Sequence, residues 1–265
     1  MATDAASVGG GRVEDPVLET RSLTRRFGEF TAVDRVDLAV GRGEFRSVIG
    51  PNGAGKTTLF NLISGRLRPT EGRVVFDGED VTRLAPHERV HRGMARSFQI
   101  TNLFGGLTVR ENVRLAVQAR AVGDIGPVRS FTRPASAFPA LHERTRDVLE
   151  QIGLEAHADE TARTLAYGDQ RRLEIGLVLA TDPELVLLDE PTAGMSGEET
   201  AATMALVTEV LADKTLVLVE HDIDLVMNFS DAITVLHQGR VIAEGTPAEI
   251  SANEAVQRAY LGGHG

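Results

Sequence analysis

Nine consecutive residues, Gly50-Pro51-Asn52-Gly53-Ala54-Gly55-Lys56-Thr57-Thr58, fit the pattern G-x-x-x-x-G-K-[ST]. They follow the strand-like run Phe45–Ile49 and precede a helical pattern over Lys56–Ser64. Such a run can cradle phosphate. Its glycines let backbone N–H groups curl around phosphate oxygens, and the helix start adds the positive end of its dipole. Lys56 holds the position that meets β- and γ-phosphates, and the Thr57 hydroxyl holds the position that ligates Mg²⁺. The chain has only two lysines, and one of them fills this slot.

A second run, Leu185-Val186-Leu187-Leu188, ends in the carboxylates Asp189 and Glu190. Alone it is a weak sign, because buried strands often end in acidic residues. Beside a phosphate loop, Asp189 at the strand tip is placed to hold the Mg²⁺ shell and Glu190 to take a proton from an attacking water.

The elements around these residues must position them. Phe30–Val40 alternates like an antiparallel strand, with Ala32, Val33, Val36, Leu38 and Val40 as its apolar set. Phe45–Ile49, Leu185–Leu188 and Leu216–Val219 are read as short apolar runs, the first with Arg46 and Ser47 inside it, as strands buried on both faces of a mostly parallel sheet are. Helical patterns follow at Gly197–Leu211 and Ile223–Asn228. Residues 100–182 read as an all-helical insertion, with helices over Val109–Arg120, Leu141–Ile152 and Gly168–Ala180. The last carries an apolar face at Leu173, Leu177 and Ala180, and a loop with Gly123, Gly126, Pro127, Pro134 and Pro139 separates the first two. The expected class is α/β.

Composition narrows the partners. A net charge of −10 over 265 residues argues against nucleic acid as a general partner. Zero cysteines remove disulfides, thiolate metal sites and cysteine nucleophiles. No apolar run approaches the roughly 18 residues of a membrane span. The opening residues, with neither a basic region nor an apolar core, read as a frayed tail over 1–12 and not as a secretory signal. The chain is therefore expected to be soluble and cytoplasmic, with any membrane role reached through a partner.

With these motifs in order, the chain from about Val17 to Leu261 resembles the ATP-binding subunits of the ABC transporter superfamily. The resemblance implies a P-loop, RecA-like core with a mostly parallel sheet, an antiparallel β subdomain and an inserted helical signature subdomain. The core would be 13–99 and 183–265, and the insertion about 100–182. It also implies roles. Gln99, in Arg-Ser-Phe-Gln, resembles the glutamine that touches Mg²⁺ and the water and senses the permease. His221, in Val-Glu-His-Asp, resembles the histidine that contacts the γ-phosphate, and Phe27, 29 residues before Lys56, resembles the aromatic that stacks on adenine.

Leu165-Ala166-Tyr167-Gly168-Asp169-Gln170 occupies the place of the Leu-Ser-Gly-Gly-Gln signature, which in this family closes on the ATP of the opposite subunit. Ala166, Tyr167 and Asp169 depart from that pattern, and Ser196 stands where an aspartate is typical. Four features resemble the branched-chain amino-acid importer ATPases: the signature variant, the linker around Val122–Pro139, Asp189 to Ser196, and the ending Gly245-Thr-Pro-Ala-Glu-Ile with Arg258-Ala-Tyr-Leu-Gly262.

The implied function is ATP hydrolysis, with ATP and Mg²⁺, coupled to import of branched-chain or related hydrophobic amino acids. The implied partners are a second ATP-binding subunit (a copy or a paralogue), transmembrane permease subunits and, indirectly, a substrate-binding protein. The place is the cytoplasmic face of the inner membrane. Urea import, another ABC transporter or a soluble ABC-type ATPase are the alternatives. A single phosphate loop and the absence of a heptad run weigh against the soluble type.

Overall fold

The structure is a computed structural model and describes residues 15–96, 103–125 and 139–261. The expected tail, Gln99, and the loop residues Gly126, Pro127 and Pro134 lie outside the described residues. In chain order the strands are β1 Leu18–Phe27, β2 Phe30–Val40, β3 Phe45–Ile49, β4 Glu71–Phe76, β5 Glu79–Asp80, β6 Met94–Arg96, β7 Leu185–Asp189, β8 Thr215–Val219, β9 Ala232–His237 and β10 Arg240–Gly245. The helices are α1 Lys56–Ile63, α2 Pro86–His91, α3 Val109–Ile125, α4 Pro139–Gln151, α5 Tyr167–Ala180, α6 Gly197–Val210, α7 Ile223–Phe229, α8 Pro247–Ser251 and α9 Glu254–Leu261. The fold is α/β of the P-loop class. The chain divides into two compact units, Met1–Pro86 with Thr215–Gly265, and His87–Lys214.

In the first unit, an antiparallel sheet of order β2-β1-β4-β5 accompanies strands ordered β10-β9-β3-β8. The predicted apolar set of β2 is buried throughout. Ala32 and Val33 are neighbours, yet both are buried, because the ladder with β1 shifts register nearby and Arg35 takes φ +49°. Strand β3 runs parallel to both β8 and β9, and all five of its residues are buried. Burial of both faces removes the in-and-out alternation seen in β2, and the polar Arg46 and Ser47 of this segment, expected as part of an apolar run, are buried with the rest. Its buried Arg46 is held by the carboxylates of Glu44 and Glu244 and the hydroxyl of Thr234.

In the second unit, β6 and β7 pair in parallel, with Ala95 opposite Val186. Helix α3 packs on α4 and α5. Gly176 of α5 sits under Ile152, and a Cβ there would meet Ile152 Cδ1 at 2.5 Å. The buried face of α5 is accordingly Leu173, Gly176, Leu179 and Ala180, while Leu177, expected on it, is only half-buried and lines an apolar groove. The helix boundaries also move. Gly123 lies inside α3, and Pro139 opens α4, where its missing N–H costs no hydrogen bond.

Ser196 has a clear local task. It caps α6: its hydroxyl accepts the Glu199 N–H at 3.3 Å, and its own N–H donates to Glu199 Oε2 at 2.8 Å. The Ser196 N–H and hydroxyl, both donating to Glu199 Oε2, hold that carboxyl below its ordinary range. Ser196→Ala is expected to destabilise the folded chain by about 1 kcal/mol. Urea unfolding of the two proteins checks this, as a lowered midpoint with an unchanged slope.

Candidate functional site

In the first unit, β3 delivers the chain into the phosphate loop. Gly50, Gly53 and Gly55 take φ values of 153°, 79° and 104°. A Cβ on Gly50 would meet the Leu236 carbonyl oxygen at 2.1 Å, and one on Gly55 the Ala32 carbonyl oxygen at 2.4 Å, so the loop is pressed against β9 and β2 by backbone alone. Gly53 meets nothing within 4 Å and is required for its conformation only. The Ala54 N–H donates to the Pro51 carbonyl at 3.1 Å, and the Gly239 N–H donates to the Ala54 carbonyl at 2.9 Å.

Lys56 is buried, and its ammonium donates to the Gly50 carbonyl at 2.6 Å and the Pro51 carbonyl at 3.3 Å. It thus lies back across the loop it belongs to. Asn52, Gly53 and Thr57 are exposed, with Thr58 half-buried. Gly55 is the N-cap of α1 and brings no capping side chain, which leaves the first-turn N–H groups to an anion. Tyr260 of α9 stands against the Gly50 backbone, and burial pushes its phenol up to about 12.

Val48 of β3 pairs with Val219 of β8, which sets Gly50 and the pair Glu220-His221 at the carboxyl ends of neighbouring parallel strands. Ligands of open α/β sheets bind at that edge. His221 is the accessible member, its side chain 63% exposed over a fully buried Glu220. The Glu220 carboxylate accepts the His221 N–H at 3.1 Å and lies 3.5 Å from its Nδ1, which leaves Nε2 as the outward nitrogen. Phe27, at the end of β1, is 45% exposed with the Arg25 guanidinium 4.5 Å from its ring centre.

In the second unit, Asp189 is the last residue of β7 and is buried. Arg96 Nη2 donates to its Oδ2 at 2.6 Å. Glu190, half-buried, takes φ +45° immediately before Pro191. A left-handed glutamate is strained, and such backbone is held by its surroundings, most often where chemistry is done. Tyr167, Gly168 and Asp169 form the first turn of α5, so the signature is the helix start itself and not a loop ahead of it. Ala166 is the N-cap and supplies no side-chain bond, so the first-turn N–H groups face outward without the usual hydroxyl. Tyr167 is 51% exposed, with the Arg171 guanidinium 5.6 Å from its ring centre.

Within the first unit, the Thr57 hydroxyl and a phosphate cradle with a lysine are groups that suit a nucleotide triphosphate, and within the second, the Asp189 carboxylate is a hard ligand of the kind Mg²⁺ takes. Among the described residues no group of three or more His, Cys, Asp and Glu side chains could hold a metal ion by itself. Mg²⁺ bound through one or two carboxylates and substrate phosphates needs no such cage. Arg96 and Glu220 were not singled out from the sequence, although both stand inside motifs that were, Arg-Ser-Phe-Gln and Val-Glu-His-Asp.

The chain matches the family model described as ABC transporter over residues 33–193, and residues 240–265 match the model described as branched-chain amino acid ATP-binding cassette transporter. It is 41% identical to the high-affinity branched-chain amino acid transport ATP-binding protein BraF of Pseudomonas aeruginosa, over 93% of this chain and 98% of the relative. Among solved structures, the ADP conformation of an ATP-binding cassette of an ABC transporter superposes with TM-score 0.77 at 31% identity, covering 93% of this chain and 99% of the other. A dimeric cassette in a post-hydrolysis state, bound to ADP and Pi, superposes with TM-score 0.67 at 29% identity, covering 87% and 98%. With a phosphate loop, a carboxylate-tipped strand and a signature helix in the expected order, the chain belongs to the ABC transporter family, as an ATP-binding subunit resembling those of branched-chain amino-acid importers.

Proposed function

We propose that this chain hydrolyses ATP to ADP and phosphate and so drives a membrane importer of branched-chain or related hydrophobic amino acids. The observation that carries the reaction is the strained Glu190 directly after the buried Asp189. The carboxylate of Glu190 takes the proton of the attacking water. Lys56, lying across the loop, presents its ammonium to the β- and γ-phosphates, and His221 presents Nε2 to the γ-phosphate. Thr57 through its hydroxyl, Asp189 and Gln99 are the residues that would hold Mg²⁺, which would supply charge to offset that on the phosphate oxygens. Phe27 stacks on the adenine. Tyr167, Gly168 and Asp169 address the nucleotide of a second subunit, a copy or a paralogue, in a head-to-tail dimer.

No helix among the described residues is long and apolar enough to cross a membrane, so the coupling is read as passing through permease subunits, with the chain peripheral on the cytoplasmic face. Phe104 supports a docking point: its ring is 60% exposed, while buried Asn112 brackets its backbone, accepting its N–H at 2.9 Å and donating to its carbonyl at 3.1 Å. An aromatic held rigidly outward near Leu103 and Leu107 fits a short permease helix. The cargo rests on the likeness to BraF and on the C-terminal match.

Uptake of labelled leucine, isoleucine and valine, with urea alongside, in cells with and without the Glu190→Gln allele tests the cargo. Loss of amino-acid uptake with urea uptake intact is expected. Unchanged uptake of all three with collapsed urea uptake would reassign the cargo and leave the ATPase reading standing.

A further inference from the structure

Arg96 and Asp189 stand at the carboxyl ends of adjacent parallel strands. The register sets Arg96 opposite Leu187, two residues before Asp189. The guanidinium meets Asp189 Oδ2 at 2.6 Å, and each side chain is 10% exposed. At that burial either charge alone is costly, and each neutralises the other. The same carboxylate is the one read above as part of the Mg²⁺ shell, so two cations have a claim on it.

We propose that Arg96 is the resident counter-cation of Asp189, holding the carboxylate so that a divalent cation enters only together with the phosphates of a nucleotide. This rests on the reading of Asp189 as a metal-shell carboxylate. A free dication approaching the pair meets no net negative charge, and it is repelled by a guanidinium in contact with the oxygen it would use. The phosphates of a nucleotide supply the missing negative charge and tip the balance. Arginine suits the task because its planar guanidinium presents donors in a fixed fork that matches a carboxylate. Lysine would keep the charge but lose the planar fork that fixes the carboxylate. A neutral residue would leave Asp189 open to any divalent ion in solution. Arg96 acts through Asp189 and is therefore a positioning residue.

The probe is Mn²⁺ alone, titrated into the purified full chain without nucleotide and followed by electron paramagnetic resonance. R96Q is expected to bind Mn²⁺ at least about tenfold more tightly than the wild type, since a contact charge is removed from a buried carboxylate. R96K should stay near the wild type, and R96Q/D189N should lose the gain. Should R96Q prove too unstable to purify, R96M keeps the apolar stem and carries the same test. Wild-type Mn²⁺ affinity in the neutral variants, or a gain that survives in R96Q/D189N, would overturn the proposal. A parallel titration with ADP separates the two readings. If D189N leaves Mn²⁺ affinity unchanged there, the metal role of Asp189 fails and the proposal with it. If D189N weakens Mn²⁺ while R96Q gains nothing, only the role of Arg96 fails.

Discussion

Replacing Glu190 by glutamine is expected to leave ATP binding close to the wild type while lowering turnover by about 10²–10⁴-fold, the range of a lost general base. The amide keeps the size of the side chain and can still orient a water, but it has no free lone pair of sufficient basicity to take the proton. The backbone sharpens the expectation. Glu190 takes φ +45° between the end of β7 and Pro191. Glutamine matches glutamate in size and branching, so the exchange asks nothing new of that backbone. Loss of rate in E190Q therefore reports chemistry and not a shifted loop. A closed dimer that cannot hydrolyse its ATP should also persist, so the variant purified with ATP should elute as a dimer from a sizing column. Measurement is phosphate release from the purified complex under saturating ATP, with nucleotide affinity determined separately. Turnover near the wild-type rate would remove Glu190 from the reaction and leave Asp189 with its own role.

The parts of the fold that were legible in the sequence are those where one physical rule acts alone. Leu216–Val219 is apolar throughout because β8 is buried on both faces, and the run falls within the strand; Phe45–Ile49 coincides with β3 as well, although its Arg46 and Ser47 are polar and are buried with partners. The phosphate loop was legible because two of its glycines have no substitute: a Cβ on Gly50 or Gly55 would collide with a carbonyl oxygen. Where two rules compete, the sequence misleads. Leu177 has the spacing of a core position on α5, but Gly176 lets Ile152 approach and turns the buried face toward itself, which leaves Leu177 at a groove. Gly123 looks like a loop residue, yet the helix around it runs on to Ile125. Ser196 reads as a departure from an aspartate, and its structural meaning, a capping box with Glu199, depends on a partner three residues later. Pairing across strands is the least legible. Nothing in Arg96 or Asp189 alone announces that they meet, because a contact between residues 93 positions apart is set by the register of β6 on β7.

Lys56→Ala is expected to weaken ATP binding by two orders of magnitude or more (about 3 kcal/mol, the upper range for a hydrogen bond to a charged group) and to abolish hydrolysis with it. The structure explains why the loss reaches beyond one contact. The ammonium is buried and donates to the Gly50 and Pro51 carbonyls, so it helps hold the loop in the curve that aims its N–H groups. Alanine removes the cation that meets the phosphates and also leaves those carbonyls short of a donor. His221→Ala differs in kind. That side chain is largely exposed and lies over Glu220, and the loop does not depend on it. It should bind ATP within a few-fold of the wild type and lose turnover, because its contact is confined to the γ-phosphate. ADP affinity separates the two most cleanly, since ADP has no γ-phosphate: Lys56→Ala should lose it and His221→Ala should keep it. Calorimetric titration of both variants with ADP and with a non-hydrolysable ATP analogue makes the comparison. Equal and wild-type affinities in both would dissolve the division of roles, whereas equal losses would move His221 from the γ-phosphate to the support of the loop.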